Sequence, residues 1–178
     1  MSHPKTPLPV LFFIAVMEKE RGLFEGVKRE LEEDLGLVLL QSRTYDISAY
    51  TTYYEKEMGK PLWKTFYFFE KLKEPEFLIA LKHRCYLIER QWVDSGDKRS
   101  LNLDPGYLNL SKVVLSTFKD YAHRLYLGNS VYGEVTLIFR DKSFQSLPWT
   151  YPDYRASHTI DVFNQARTIY KERIHAYR

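Results

Sequence analysis

The fold is decided by residues 99–134, RSLNLDPGYLNLSKVVLSTFKDYAHRLYLGNSVYGE, in which short β-type runs alternate with polar turns. Strand-like runs occupy residues 112–118, 123–127 and 131–139, the last of which continues past the end of the stretch. Their short connections predict an antiparallel meander. Polar side chains stand at the strand ends and turns, where rigid scaffolds often carry binding groups. These side chains belong to Arg99, Asn102, Asp104, Lys119, Asp120, His123, Arg124 and Glu134.

The register of the last hairpin predicts one ion pair. If the loop GNS spans three residues and Leu127 faces Val131, then Arg124 lies opposite Glu134 on the next strand. A change of one residue in loop length would remove this pairing, because neighbouring residues of a strand point to opposite faces.

The residues before this stretch alternate between strand and helix periods. VLFFIAVM, at residues 10–17, is continuously apolar, as in a central strand that is covered on both faces. The following periods predict helix, strand, strand, helix and strand at residues 18–35, 37–48, 63–72, 74–91 and 100–104. This is the order of a ferredoxin-like βαββαβ core. Pro105 and Gly106 are expected to end its last strand.

The chain is therefore predicted to be a single α+β domain, since 178 residues suffice for one buried core. Its predicted parts are an extended lead-in, the βαββαβ-type core, antiparallel strands, and a proline- and aromatic-rich loop with a C-terminal helix, at residues 1–9, 10–104, 105–145 and 146–178. Residues 49–62 fit neither period, and they predict either a loop or a lid whose tyrosines close over a ligand.

Composition limits the classes of partner. The net charge of +3 is mildly basic, but no Lys/Arg run forms a nucleic-acid type of cluster. The single cysteine, Cys85, excludes an intrachain disulfide and fits a reducing, cytoplasmic location. The apolar run at residues 10–17 is too short to span a membrane, so no membrane partner is expected. An aromatic content of 16% predicts a bulky core or aromatic-lined surfaces.

The sequence contains no recognisable motif for metal, cofactor or nucleophile chemistry. The candidate metal ligands lack a compact spacing such as HExxH, so no metal site is predicted from His123, Asp104, Asp120, Glu134 and Asp153. No motif identifies a cofactor. Ser116 and Thr117 lie near His123 without a nucleophile-elbow pattern.

The chemistry of the polar side chains favours a small anionic ligand, phosphorylated or nucleotide-like. Arginine and lysine offer charge-assisted hydrogen bonds, while tryptophan and tyrosine offer stacking faces. The predicted ligand-binding residues are Arg99, Asn102, Asp104, Lys119, Arg124, Trp149, Tyr151, Asp153 and Arg155. In the alternative interpretation, the cations pair with nearby carboxylates and only fix loops.

Whether the protein is an enzyme stays open at this point. If it is, His123 is the candidate for proton transfer, because an imidazole titrates near neutral pH, and Glu134 is its companion. The alternative is a structural histidine with satisfied hydrogen bonds.

Five motifs together resemble one family: YYEKEMG, NLDPGYL, KVVLSTFKDYAHRLYL, VYGEVTL and PWTYPDYR, at residues 53–59, 102–108, 112–127, 131–137 and 148–155. On these motifs the chain resembles the uncharacterised prokaryotic family DUF4416 over nearly its whole length. The resemblance implies no reaction, substrate or catalytic residue. Some relatives are labelled GTP-binding, but this sequence contains neither G-x-x-x-x-G-K-S/T nor G-x-G-x-x-G.

An RNA-binding module is the alternative from another class of function. It would use exposed aromatic residues on a ferredoxin-like sheet to stack unpaired bases. The K/R-G-F/Y-G/A-F-V-x-F/Y pattern of such sheets is missing from the sequence.

Overall fold

The computed structural model describes residues 3–93 and 98–177. Within them the strands are β1 Val10–Glu18, β2 Val38–Gln41, β3 Tyr45–Asp46, β4 Trp63–Lys73, β5 Leu101–Leu108, β6 Lys112–Thr117, β7 Leu125–Gly128, β8 Val131–Arg140 and β9 Ser143–Ser146. The α-helices are α1 Lys28–Leu35, α2 Glu55–Met58, α3 Phe77–Gln91 and α4 Ser157–Ile174. The predicted parts also include residues 1, 2, 94–97 and 178, which lie outside the described residues.

The described strands form one antiparallel sheet in the order β2-β4-β1-β5-β6-β8-β7, and in addition β3 pairs with β4 and β9 pairs with β8. Along the chain, β1, α1, β2, β4, α3 and β5 occur in that order, with β3 and α2 between β2 and β4. Helices and an antiparallel sheet thus share one domain, and the prediction of a single α+β domain is confirmed.

The side chains of β1 alternate between two apolar clusters, one on each face of the sheet. Phe12 and Ile14 belong to the cluster that includes α1 and α3. Phe13 and Ala15 belong to the cluster that includes α4, where the Phe13 and Phe163 rings meet edge to face at 5.0 Å. All residues of β1 are buried, which confirms the prediction of a strand covered on both faces.

The first helix is shorter than the predicted 18–35. Glu18 belongs to β1, and its carboxylate accepts the N–H groups of Gly22 at 3.1 Å and Phe24 at 3.0 Å. Gly22 has a φ of 94°, in the left-handed region that glycine adopts most readily. The chain turns at this glycine, and α1 begins only at Lys28.

The strand predicted at 37–48 is divided into β2 and β3. At the break, the backbone N–H of Ser42 donates to the Phe66 carbonyl, and the Phe66 N–H donates to the Ser42 hydroxyl, both at 2.9 Å. A side chain thus replaces the backbone acceptor of the ladder, and regular pairing stops there.

The prediction that Pro105 and Gly106 end a strand is wrong, since β5 continues through both to Leu108. The Pro105 carbonyl accepts a hydrogen bond from the Ser116 hydroxyl at 2.8 Å. A Cβ on Gly106 would lie 2.5 Å from Cζ of Phe13. The glycine therefore lets the Phe13 ring approach the backbone, and it does not mark a turn.

The predicted meander is also wrong, because β8 lies between β6 and β7. Most of β6 is buried, as suits an interior strand, whereas β7 is largely exposed, as suits an edge. The turn from β7 to β8 consists of Asn129 and Ser130, with φ of 49° and 62°, which is typical of a two-residue hairpin. A bulge in β7 takes up the extra residue, so Val131 faces Gly128 and not Leu127.

Candidate functional site

A cleft of about 590 Å³ opens between the sheet, α3 and two loop segments, residues 47–54 and 151–154. Among the described residues, five cations and four carboxylates line it: Lys64, Lys82, Arg99, Lys119, Arg124, Glu89, Asp104, Glu134 and Asp153. Charged groups are rarely buried unless they are paired, and such groups often gather at functional sites. This cleft is therefore the candidate site.

The inner end of the cleft, defined as Lys64, Asp153 and Tyr154, is built around a buried ion pair. Lys64 Nζ contacts Asp153 Oδ2, with side chains only 7% and 4% exposed. The Tyr45 hydroxyl donates to the same oxygen at 2.9 Å. Burial and the negative charge of Asp153 raise the pKa of Tyr45, so its hydroxyl stays a donor. The pair holds residues 151–154 against β4 and leaves no net charge there.

The middle of the cleft presents an ionised carboxylate. Lys82, from α3, lies 3.1 Å from Oδ1 of Asp104, and the Asn102 amide donates to Oδ2 at 2.8 Å. Burial acts to raise the pKa of Asp104, but the Lys82 charge and these hydrogen bonds outweigh it and hold the pKa below its ordinary value. The Asp104 side chain is 31% exposed and lines the cleft, so a ligand there meets an ionised carboxylate.

Arg99 connects three parts of the site. Its Nη1 donates to Glu89 Oε2 at 3.1 Å and to Asn102 Oδ1 at 3.0 Å, while its Nε donates to Glu57 at 2.6 Å. The Leu103 backbone N–H donates to the other oxygen of Glu89. Burial raises the pKa of Glu89, although neighbouring cations act in the opposite direction. Arg99 thus links residue 57 to α3 and β5.

The mouth of the cleft, defined as Lys119, Arg124 and Tyr151, contains the predicted ion pair. Arg124 Nε donates to Glu134 Oε2 at 2.8 Å, and His123 Nε2 lies 3.0 Å from the same oxygen. The prediction that Arg124 faces Glu134 is therefore confirmed. Arg124 Nη2 also donates to the Tyr151 hydroxyl at 2.9 Å. Burial, with the Glu134 charge, raises the pKa of Tyr151 to about 12, so this hydroxyl is neutral at physiological pH.

Lys119 and three tyrosines form the rim. Lys119 Nζ donates to the Tyr53 hydroxyl at 2.6 Å and lies 5.0 Å from the centre of that ring. Tyr53, Tyr86 and Tyr121 are 64%, 44% and 67% exposed. The predicted loop or lid at 49–62 contains α2, and its Tyr53 reaches across to Lys119. The rim therefore offers aromatic faces beside a cation.

Three predicted site residues lie outside the cleft lining. The His123 and Trp149 rings stack at 5.3 Å and 14°, and the Trp149 indole donates to the Val135 carbonyl at 2.8 Å. Arg155 donates to the Thr150 carbonyl at 2.8 Å and the Pro148 carbonyl at 2.9 Å. These contacts fix the loop after β9, whereas the other seven predicted ligand-binding residues line the cleft.

Sequence reasoning missed several residues that line the cleft, among them Lys64, Lys82, Glu89, Tyr54 and Tyr154. A signal existed for two of them. Lys82 and Glu89 follow the buried Leu78 by four and eleven positions, so they fall on the buried stripe of α3. A charged residue on such a stripe indicates a buried polar site.

A second, more open groove of about 690 Å³ lies at the ends of α1 and α4. Its cations bond backbone carbonyls: Lys71 donates to Glu33 at 3.0 Å, Lys73 donates to Asp34 at 3.2 Å, and Arg173 donates to the Glu70 carbonyl at 2.6 Å. These cations hold elements of the fold together.

No group of three or more His, Cys, Asp or Glu side chains among the described residues is arranged to hold a metal ion. No helix in the described part of the chain is both long and apolar enough to cross a membrane.

Comparison with known proteins gives one match. The family model described as "Domain of unknown function (DUF4416)" matches residues 8–170. No curated protein and no solved structure matches the chain.

Proposed function

The chain belongs to the family described as a domain of unknown function, DUF4416, and we propose that its cleft binds a small anionic molecule, phosphorylated or nucleotide-like. The volume of about 590 Å³ falls within the range of small-molecule sites.

The observation that supports this proposal most strongly is that both cations at the mouth donate hydrogen bonds to tyrosine hydroxyls. Lys119 donates to the Tyr53 hydroxyl, and one arm of Arg124 donates to the Tyr151 hydroxyl. Neutral hydroxyls are weaker partners for a cation than anionic oxygens are. A phosphate or carboxylate that replaces these hydroxyls would strengthen both interactions.

Arg124 would keep the hydrogen bond from its Nε to the Glu134 carboxylate, whereas each cation deeper in the cleft would have to give up a carboxylate partner. Lys64 and Lys82 are paired with the carboxylates of Asp153 and Asp104. Displacing either carboxylate would leave a buried charge without its partner, which is strongly unfavourable. The anionic group is therefore assigned to the mouth, and the rest of the ligand to the interior of the cleft.

The rim supports a ligand that contains a ring. Tyr53, Tyr86 and Tyr121 present exposed faces beside Lys119. Aromatic side chains pack favourably on planar groups. A nucleotide whose phosphate lies beside Lys119 and whose ring passes these tyrosines into the cleft matches this combination.

For an enzymatic role, we assign proton transfer to the His123 and Glu134 pair. His123 does not line the cleft, but it contacts Glu134, which does. A proton could therefore pass between the imidazole and the cleft through this carboxylate.

A thermal-shift screen against nucleotides, sugar phosphates and divalent ions tests the proposal. A ligand at one hundred times its Kd should stabilise the protein by about 2.7 kcal/mol, or roughly 5–11 °C for a chain of this size. The shift should shrink in Lys119→Met and persist in Lys171→Met, which changes an exposed lysine on α4. If no compound raises the melting temperature at such concentrations, the proposal fails.

RNA binding remains the alternative function. The aromatic residues of β1, and Phe66, Phe68 and Phe69 of β4, are buried, so RNA would have to use exposed tyrosines such as Tyr121 and Tyr126. The two functions differ in salt response. RNA affinity should fall steeply with salt because counterions are released, whereas binding in a cleft should be less sensitive.

We also propose that β1, α1, β2, β4, α3 and β5 form the ferredoxin-like βαββαβ unit predicted at residues 10–104. The antiparallel strand order β2-β4-β1-β5 and the packing of α1 and α3 against one apolar cluster support this assignment. An experimental structure with another strand order would contradict it.

A cytoplasmic location is proposed as well. Its support is the buried thiol of Cys85, the only cysteine, whose pKa is raised by burial. Cell fractionation that recovers the protein outside the cytoplasm would contradict this proposal.

A further inference from the structure

Tyr154 lines the inner end of the cleft, and its hydroxyl is buried without a hydrogen-bond partner among the described residues. Tyr154 is 2% exposed, and no described residue forms a hydrogen bond with its hydroxyl oxygen. Other buried polar atoms without a partner among the described residues belong to side chains such as Ser48 and Thr159, which do not line the cleft. Buried polar groups normally find partners, so this hydroxyl has capacity for a ligand atom.

Its surroundings make the hydroxyl a donor. Burial raises the pKa of Tyr154, and the negative charges of Asp153 and Asp104 act in the same direction. The phenol therefore keeps its proton. The Lys64 ammonium lies 4.6 Å from the centre of the same ring. An ammonium has three N–H groups, and one N–H of Lys64 donates to the Asp153 carboxylate.

The charges at the inner end determine which group of a ligand can accept hydrogen bonds from the Tyr154 hydroxyl and the Lys64 ammonium. Lys64 is already neutralised by Asp153, and Lys82 by Asp104. A second anion at the inner end would therefore meet two carboxylates without a free cation. An amino group would face the Lys64 ammonium, which has no lone pair to offer. An uncharged acceptor satisfies both donors.

We propose that the inner end receives an uncharged carbonyl oxygen of the ligand, with the Tyr154 hydroxyl and the Lys64 ammonium as its donors. This inference rests on the proposed binding of an anionic ligand at the mouth. The ligand class is then a molecule with a phosphate or carboxylate at one end and a carbonyl at the other, such as a nucleotide with an oxo-substituted base.

The free protein gives the first test, in which Tyr154→Phe is compared with Tyr170→Phe. Both tyrosines are 2% exposed, but the Tyr170 hydroxyl donates to the Pro9 carbonyl at 2.9 Å. Tyr154→Phe should leave the melting temperature unchanged or higher, because no hydrogen bond is lost, whereas Tyr170→Phe should lower it. A clear fall for Tyr154→Phe would mean that the hydroxyl has a structural partner and would overturn the inference.

Matched ligands give the second test. Inosine and adenosine monophosphate differ at C6 of the base, which bears a carbonyl in the first and an amino group in the second. Uridine and cytidine monophosphate share a C2 carbonyl and differ in the same way at C4. In each pair the adjacent ring nitrogen is protonated only in the member with the carbonyl at that position. The wild-type protein should bind the carbonyl member of each pair on the order of tenfold more tightly. Tyr154→Phe should lose most of that preference and still bind through the phosphate.

The outcomes separate this inference from the proposed function. Equal affinity for both members of each pair, or an undiminished preference in Tyr154→Phe, overturns the carbonyl assignment and leaves the anionic site standing. No binding of any of these nucleotides or of the screened phosphates overturns the proposed function and this inference with it.

Discussion

The ion pair at the inner end of the cleft gives the sharpest prediction about stability. Lys64→Met removes the cation but keeps an apolar stem of similar length. Among the described residues, it leaves buried Asp153 with the Tyr45 hydroxyl as its side-chain donor. Both charged side chains are less than a tenth exposed. Breaking such a buried pair lowers the free energy of unfolding by about 3–5 kcal/mol. For a chain of this size the melting temperature should fall by roughly 6–20 °C.

A double-mutant cycle separates this pairing from simple loss of packing. Asp153→Asn leaves the Lys64 ammonium buried without its counterion, so it should destabilise to a similar degree. The double variant buries no charge at either position, and its destabilisation should be smaller than the sum of the two single effects by at least about 2 kcal/mol.

Urea unfolding followed by circular dichroism measures these free energies. The control is Arg140→Met, because the Arg140 and Asp141 side chains are paired at 3.3 Å but 71% and 73% exposed. That variant should change the free energy by less than about 0.5 kcal/mol. Additive effects of Lys64→Met and Asp153→Asn, or a loss no larger than the control, would refute the reasoning.

Three further predictions concern acid stability, packing and the rim. The depressed pKa of Asp104 in the folded protein stabilises the fold above the unfolded-state value of about 3.9, and this stabilisation is lost as the pH falls through the folded-state pKa. Below about pH 4, the free energy of unfolding measured in urea should therefore fall less steeply with falling pH for Asp104→Asn than for the wild type. Equally steep falls in the two proteins would contradict this prediction. Gly106→Ala places a Cβ 2.5 Å from the Phe13 ring and should reduce the free energy of unfolding by about 1–3 kcal/mol; an unchanged urea midpoint would contradict the clash. Tyr53→Phe removes the hydrogen bond to Lys119, so amide hydrogen exchange should quicken at residues 51–59, and equal rates would show that this contact does not hold the segment.

The sequence predicted those parts of the fold that depend on local period. The continuously apolar run of β1 predicted a strand covered on both faces, and all residues of β1 are buried. The Arg124 and Glu134 pairing also followed from alternation along a hairpin, even though the loop length was wrong. The strand order β6-β8-β7 could not be predicted from local sequence patterns. It depends on whether the connection at 118–124 turns back or crosses β8.

The site was predictable at its mouth and not at its inner end. Lys119, Arg124 and Tyr151 lie in turns or near strand ends, where polar residues are natural candidates for ligand binding. Lys64 lies inside an aromatic strand, and only the position of Asp153 from a distant loop turns it into part of a polar site. Arg155 is close to Asp153 in sequence, yet it bonds carbonyls of its own loop, because sequence proximity does not determine side-chain direction.

Calorimetric titration of the phosphate-bearing compound that gives the largest thermal shift tests the anionic site most directly. The wild type, Lys119→Met and Lys171→Met are titrated under the same conditions. Loss of one charge-assisted hydrogen bond should weaken binding to Lys119→Met by about 10- to 150-fold, while Lys171→Met should bind like the wild type. Equal affinity of all three proteins would place the anionic group away from the mouth of the cleft and contradict the account.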